Sequence, residues 1–179
     1  MYLEETYKDF EYLNNLPGNK ILLKGNHDYW WTTLTSMRKY LKENNFENID
    51  FLYNNSYLIE DKIISGTRGW INTNPKNQEN HKILKRECDR LELSIKNGIS
   101  AYGDDKEIIV FMHYPPFYKE EVDESINFIN LMKKYNVKQC FYGHLHGESH
   151  KEAVEGIIEG IEFRLISSDY LNFDLLKLV

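Results

Sequence analysis

The sequence predicts an α/β fold in which helices cover a partly antiparallel sheet, and three observations predict it. Short apolar runs of strand length alternate with segments whose apolar residues recur every three or four positions, the order that layers helices on a sheet. The tail is richer in strand-like runs than in helical ones, which makes part of the sheet antiparallel. Finally, three of the apolar runs stop abruptly at polar turns bearing histidine, the kind of turn found where strand ends face a crevice.

The elements follow in order. Leu3, Tyr7, Phe10 and Leu13 line one face of a helix over residues 3–13, and Pro17-Gly18-Asn19 breaks it. Lys20-Ile21-Leu22-Leu23 reads as a buried strand. After the turn at residues 25–31, Leu34, Met37 and Leu41 mark a second helix that ends near Asn44-Asn45. A short strand at 51–53 precedes a hairpin of residues 56–60 and 62–66. Residues 66–80 form a polar loop, and substrate contacts are expected in its Thr67–Pro75 part. A third helix spans residues 81–96, burying Ile83, Leu84, Cys88, Leu91 and Ile95, with Asn97-Gly98 as its stop. Then come a strand at 108–112, a helix at 125–135 and a strand at 139–142. Two further strands are expected at 160–167 and 173–179.

A chain of 179 residues fits one domain, here residues 1–179. Its net charge of -6 disfavours a cationic nucleic-acid or membrane binder, but a phosphate substrate remains compatible because metal ions supply positive charge locally. The opening residues carry neither the basic nor the apolar region of a secretory leader, and no apolar run approaches membrane-spanning length. A cytoplasmic protein is therefore expected. Cys88 falls in a helical pattern and Cys140 in an apolar strand, so both read as reduced core residues.

Four candidate metal ligands gather at three strand ends: Asn26 in Gly25-Asn26-His27-Asp28, His113 after Met112, and His144 with His146 in Gly143-His144-Leu145-His146. Imidazole and amide donors without thiolates suit manganese, iron, zinc or nickel. In an extended segment His144 and His146 point the same way, with Leu145 opposed, and serve either two adjacent metals or one. A lone histidine after a strand is ordinarily a hydrogen-bonded loop residue. Convergence of three such turns on one sheet edge is what makes the metal site. An imidazole at His27 can donate a proton to a departing oxygen, with Asp28 beside it fixing its tautomer; a third ligand or a structural hydrogen bond is the alternative for His27. Arg68 can pair with a substrate phosphate through its planar fork or brace its own loop. Trp30, Trp31 and Trp70 read as core or rim packing before they read as a wall for an aromatic leaving group. His81 and His150 read as solvated, His150 within range of a substrate contact.

These motifs, in this order, resemble the calcineurin-like metallophosphoesterase superfamily, and the resemblance spans most of the chain. With Leu16-Pro17-Gly18, residues 67–70 and residues 168–171, the chain is similar to a bacterial group of predicted phosphohydrolases. The resemblance implies a β-sandwich flanked by helices, with two divalent metals bridged by a hydroxide and a small-molecule phosphomonoester or phosphodiester as substrate. It also implies that Asn26, His113 and His144 hold one metal, that His146 ligates the other, and that His27 lies by the leaving group with Asp28 orienting it. The superfamily also has an Asp-x-His motif at its first strand and a Gly-Asp motif whose aspartate bridges both metals. Here neither occurs: the only aspartate before Gly25 is Asp9, and no histidine precedes it. The expectation is that the chain is truncated at its N-terminus, with two strands and three ligands lying upstream. The alternative function is an inactive remnant that binds at most one metal or pairs with a partner supplying those strands.

Overall fold

The computed structural model describes residues 2–28, 31–70, 78–117 and 128–178. A 3-10 turn at Leu3–Thr6 leads into α1 (Tyr7–Asn15), followed by β1 (Lys20–Leu23), α2 (Leu34–Glu43) and β2 (Ile49–Leu52). Next come β3 (Ser56–Ile59), β4 (Lys62–Thr67), α3 (Gln78–Tyr102), β5 (Glu107–Met112), α4 (Phe128–Lys134) and β6 (Gln139–Tyr142). A second 3-10 turn, Gly147–Glu152, precedes β7 (Gly156–Ile158) and β8 (Ile161–Leu165). β1 and β2 pair in parallel as a two-stranded sheet. The six-stranded sheet has the order β3-β4-β5-β6-β8-β7, parallel through β4, β5, β6 and β8 and antiparallel at β3 and β7. The mixed sheet expected from the sequence is therefore present.

Alternation of side chains along the strands sorts the apolar residues into three layers. Ile108, Val110 and Met112 of β5, Cys140 and Tyr142 of β6, and Ile161, Phe163 and Leu165 of β8 face α3 and α4, meeting Leu84, Leu91, Ile95, Phe128 and Met132. The opposite parity, Ile64, Ile109 and Phe141, meets Leu52 together with Ile21 and Leu23 of the small sheet. On the far side of β1 and β2, Phe51, Ile49 and Leu22 pack against Phe10, Met37 and Leu41 of α1 and α2. The order is helices, sheet, sheet, helices. Each large apolar side chain withdrawn from water in these layers contributes about 1.5–3 kcal/mol against the chain entropy lost on folding.

Several expectations are corrected. The third helix does not stop at Asn97-Gly98 but runs on to Tyr102, where Gly103 takes φ +97° and its N–H caps the carbonyl of Ile99 at 2.9 Å. Gly98 instead marks the helix's closest approach to the hairpin: a methyl group there runs into Ile63 and stands 2.8 Å from Ser56 Oγ. The strand expected at 173–179 does not form. Asn172 and Phe173 have φ of +51° and +62°, and Phe173 N–H turns back to the carbonyl of Ser168 at 2.7 Å. Beyond them Leu176 and Leu178 still pack on the inter-sheet cluster, so the apolar alternation is used for packing without joining a strand ladder, β8 being flanked by β6 and β7. Strand β7 was not anticipated; it pairs with β8 across Glu159-Gly160, whose φ values of +52° and +82° suit a two-residue hairpin turn. The strand placed at 51–53 is shifted to Ile49–Leu52. The helix expected at 125–135 is seen as Phe128–Lys134, and its first residues, like Trp30 and residues 71–75 of the proposed substrate loop, lie outside the described residues. Both cysteines are free, Cys140 buried and Cys88 half-buried.

Replacing Gly98 by alanine should therefore destabilise the protein even though alanine gains about 1 kcal/mol in helix propensity. Overpacking costs roughly 1–3 kcal/mol and often more against backbone-anchored neighbours. A fall in Tm of about 2–6 °C is expected by calorimetry. An unchanged or raised Tm contradicts the packing described.

Candidate metal centre

The parallel strands of each sheet end at one rim, and the rims of the two sheets meet. From the small sheet comes the Gly25–Asp28 loop after β1. Its shape is set locally: Asp28 Oδ2 accepts from Gly25 N–H at 2.9 Å, and Asp28 N–H donates to the Gly25 carbonyl at 3.3 Å. A side chain at position 25 would crowd His113 Cε1 at 3.1 Å, so glycine is what lets the loop lie against the other sheet. From the large sheet come His113 after β5 and His144 after β6. Tyr114 N–H is held by the Arg68 carbonyl at 2.9 Å, and Gly143 N–H by the carbonyls of Met112 and His113 at 3.3 and 3.2 Å.

Three of the four predicted ligands converge. His113 Nε2 lies 2.7 Å from Asn26 Oδ1 and 3.1 Å from His144 Nδ1. His144 has φ +72°, and Leu145 N–H bonds the Gly143 carbonyl at 2.9 Å, so His144 is the centre of a three-residue γ-turn. That conformation is strained for a non-glycine residue and aims the imidazole at His113. The expectation of an extended His144–His146 segment is thereby corrected. Leu145 does enter the core, but His146 is exposed and its Nδ1 lies 2.7 Å from Asp169 Oδ1. Tyr114 packs against both rings of the cluster, tilted on His144 at a centroid distance of 4.3 Å and edge-on to His113 at 4.9 Å.

The electrostatics keep the cluster neutral. Burial, then His144 and Arg68, push the His113 pKa down to about 4, and burial, then His146 and His27, lower that of His144. Neutral imidazoles present lone pairs, the form a cation binds. His27 is exposed at the same rim and close enough for its charge to act on both rings. The carboxylate expected to orient it, Asp28, closes the Gly25 turn that carries Asn26 and His27.

Arg68 lies against α3. Its guanidinium, 10 % exposed, lies 3.7 Å from the buried Glu87 carboxylate and 5.3 Å from the Trp70 ring. Trp31 is core, edge-on to Phe10 and Phe51, and Trp70 packs against Tyr114. His81 is half-buried rather than solvated. So is His150, whose Nε2 is 3.2 Å from Asp169 Oδ2 without the alignment of a hydrogen bond.

Two residues at this rim escaped the sequence. Asp169 accepts from Gly147 N–H at 2.9 Å and from His146, contacts that hold its carboxyl well below the usual range. With Nδ1–H of His146 given to Asp169, Nε2 is the nitrogen left to coordinate, the usual carboxylate–histidine arrangement behind a metal ligand. The other is Glu87, which sits fully buried on α3 and accepts from Thr67 Oγ1 at 2.7 Å and Arg90 at 2.5 Å. The visible signal was a polar stripe, Glu87, Arg90 and Ser94, crossing an otherwise apolar helix face.

The donor set fits a metal. Atoms bound to one cation at about 2.0–2.2 Å stand roughly 3 Å apart on neighbouring corners of the coordination shell, which is how His113 Nε2 stands to Asn26 Oδ1, at 2.7 Å, and to His144 Nδ1, at 3.1 Å. Among the described residues, no three His, Cys, Asp or Glu side chains gather as a metal-holding group, so the two-metal set is not assembled by these residues alone.

Helices outside two facing sheets, with an amide–imidazole cluster where the strand ends meet, define a layered α/β protein. The chain belongs to the calcineurin-like phosphoesterase family, whose model matches residues 3–148 and so spans all four predicted ligands. The family suggests a phosphoesterase and typically binds metals. A solved crystal structure shares the fold with a TM-score of 0.56 at 11% identity, over 90% of this chain; the chain spans 62% of that structure's length. No curated protein matches it. No helix among the described residues is long and apolar enough to cross a membrane.

Asp169→Asn should leave the fold intact but weaken cation binding through His146 by about 10–100-fold, measured by competition with a chelating dye. Equal affinity in the variant contradicts the orienting role.

Proposed function

We propose that this protein is a metal-dependent hydrolase of phosphomonoesters or phosphodiesters, in which Asn26, His113 and His144 hold one divalent cation and His146, oriented by Asp169, reaches a second. The observation that carries this is the approach of Asn26 Oδ1 and His144 Nδ1 to His113 Nε2, at 2.7 and 3.1 Å, on residues drawn from three separate strand ends. Manganese, iron, zinc or nickel suit these donors. When bound, such cations lower the pKa of water and neutralise phosphoryl oxygens.

The chain's own residues do the rest. Exposed His27 stands at the rim where a departing alkoxide or phenolate needs a proton, and its imidazole is the group that supplies one. Asp28 acts through the backbone, clamping Gly25 so that Asn26 and His27 leave the turn on the cluster's side. Tyr114 and Trp70 form the apolar wall that keeps the His144 face dry.

A second reading has one observation in its favour. Among the described residues no three His, Cys, Asp or Glu side chains gather as a metal-holding group, which suits a non-catalytic chain that holds at most one metal. Elemental analysis separates the two: near two metals per chain favours the hydrolase, and one or none favours the remnant.

On a generic aryl phosphate, turnover is expected to vanish on chelation and return with manganese or zinc. His27→Ala should lower kcat about 10²–10⁴-fold, and His144→Ala should remove metal and activity together. Hydrolysis that survives both chelation and His27→Ala contradicts the proposal.

A further inference from the structure

The proposed reaction leaves His150 without a task, although it faces the contact that orients His146. The 3-10 turn Gly147–Glu152 begins directly after His146 and folds the chain back, so that two imidazoles four residues apart approach the same carboxylate. His146 Nδ1 stands 2.7 Å from Asp169 Oδ1, and His150 Nε2 stands 3.2 Å from Asp169 Oδ2. Ser149 closes the turn on itself: its hydroxyl donates to the His146 carbonyl at 2.8 Å and accepts from the His146 N–H at 2.8 Å.

A carboxylate in this place does not orient an imidazole unaided. The His146 side chain is 60% exposed and that of Asp169 31%, and a polar contact of such exposure is weak because holding two side chains still costs rotational freedom. Asp169 has to be fixed from its other side. A carboxylate accepts at about four sites, two on each oxygen. Oδ1 takes His146 and, at 3.1 Å, the Tyr170 N–H, and Oδ2 takes the Gly147 N–H at 2.9 Å. The site left on Oδ2 is the one His150 approaches. His150 Nε2 is closed off from solvent and makes no aligned hydrogen bond among the described residues, so the Asp169 carboxylate is the acceptor its proton has.

His150 is itself held. Tyr170 meets its ring edge-on at 5.2 Å, the Tyr170 hydroxyl donates to Glu155 Oε2 at 2.6 Å, and Glu155 Oε1 accepts from the Leu165 N–H of β8 at 3.0 Å. A continuous run of contacts thus leads from β8 through Glu155, Tyr170, His150 and Asp169 to His146. We propose that His150 is a positioning residue: it pins the second oxygen of Asp169, so that the first stays turned to His146 Nδ1 and His146 keeps its proton there, with Nε2 free for a cation. The cation rests on the metal-dependent reading of the site; the placement of the proton does not.

Two substitutions separate positioning from packing. His150→Phe keeps a ring against Tyr170 and removes the nitrogen, and His150→Gln keeps an N–H donor near the place of Nε2. Ring nitrogen–proton correlation spectra of metal-free protein at alkaline pH read the tautomer directly. The wild type and His150→Gln should show His146 chiefly as the Nδ1–H form, and His150→Phe should shift it several-fold towards Nε2–H. Tyr170→Phe, at an exposed position whose change does not threaten folding, removes only the strut to Glu155 and should move the tautomer the same way, by less. Zinc affinity, measured by competition with a chelating dye, should fall about 10-fold in His150→Phe, as it does on loss of a group behind a ligand, and return in His150→Gln. A tautomer unmoved in His150→Phe and Tyr170→Phe, or equal losses in His150→Phe and His150→Gln, overturns the proposal. The expected tautomer shifts in a protein whose wild type neither binds zinc nor turns over a phosphoester contradict the metal-dependent hydrolase reading instead, and leave the positioning role standing.

Discussion

The contact between Asn26 and His113 joins residues 87 positions apart and fastens the rim of the small sheet to that of the large one. Among the described residues the two sheets share no strand ladder; the layer between them is mostly apolar side chains, with Tyr57 of β3 donating its hydroxyl to the Phe51 carbonyl of β2 at 3.0 Å. Apolar packing is strong but non-directional and tolerates small slides. A 2.7 Å approach between an amide oxygen and an imidazole nitrogen does not. The rim therefore needs braces beyond the core, and it has them: the Asp28–Gly25 clamp, the Arg68–Tyr114 backbone bond, the paired carbonyls on Gly143 and the γ-turn at His144. Each fixes a loop by hydrogen bonds within a residue or two of a donor atom, which is how a scaffold holds a site to fractions of an ångström.

Charge is distributed to the same end. The chain as a whole is acidic, yet its rim offers neutral imidazoles and, a few residues away, a cavity lined by Lys24, Arg68, Arg86 and Arg90 together with Glu87. An acidic exterior discourages indiscriminate binding of polyanions. Glu87 ties the two regions together, because it lends half its carboxylate to Thr67 at the strand end and half to the arginines. Removing it would take a carboxylate from Arg68 and Arg90 and free the end of β4 at once.

Much of this was legible in the sequence. Period-two and period-3.6 patterns located most strands and helices, and the three polar strand ends pointed to Asn26, His113 and His144 before any coordinates. What escaped was non-local. Gly98 looked like a helix stop because its partner surface, Ser56 and Ile63, is far away in sequence, and residues 173–178 looked like a strand because alternation cannot tell whether a sheet edge is free to receive them. Asp169 and Glu87 are single carboxylates in unremarkable company, and only the fold brings one to His146 and the other to Arg68. The extended pairing expected of His144 and His146 failed for a local reason: a positive φ at His144 turns the first imidazole inward and leaves the second outside.

The central claim is that one cation sits among Asn26 Oδ1, His113 Nε2 and His144 Nδ1. Crystals grown with manganese and recorded at its absorption edge test it directly. The account predicts an anomalous peak about 2.0–2.3 Å from all three atoms, lost in a crystal of His113→Ala. A peak elsewhere, or none with the three atoms still in mutual contact at full manganese occupancy of the buffer, contradicts it.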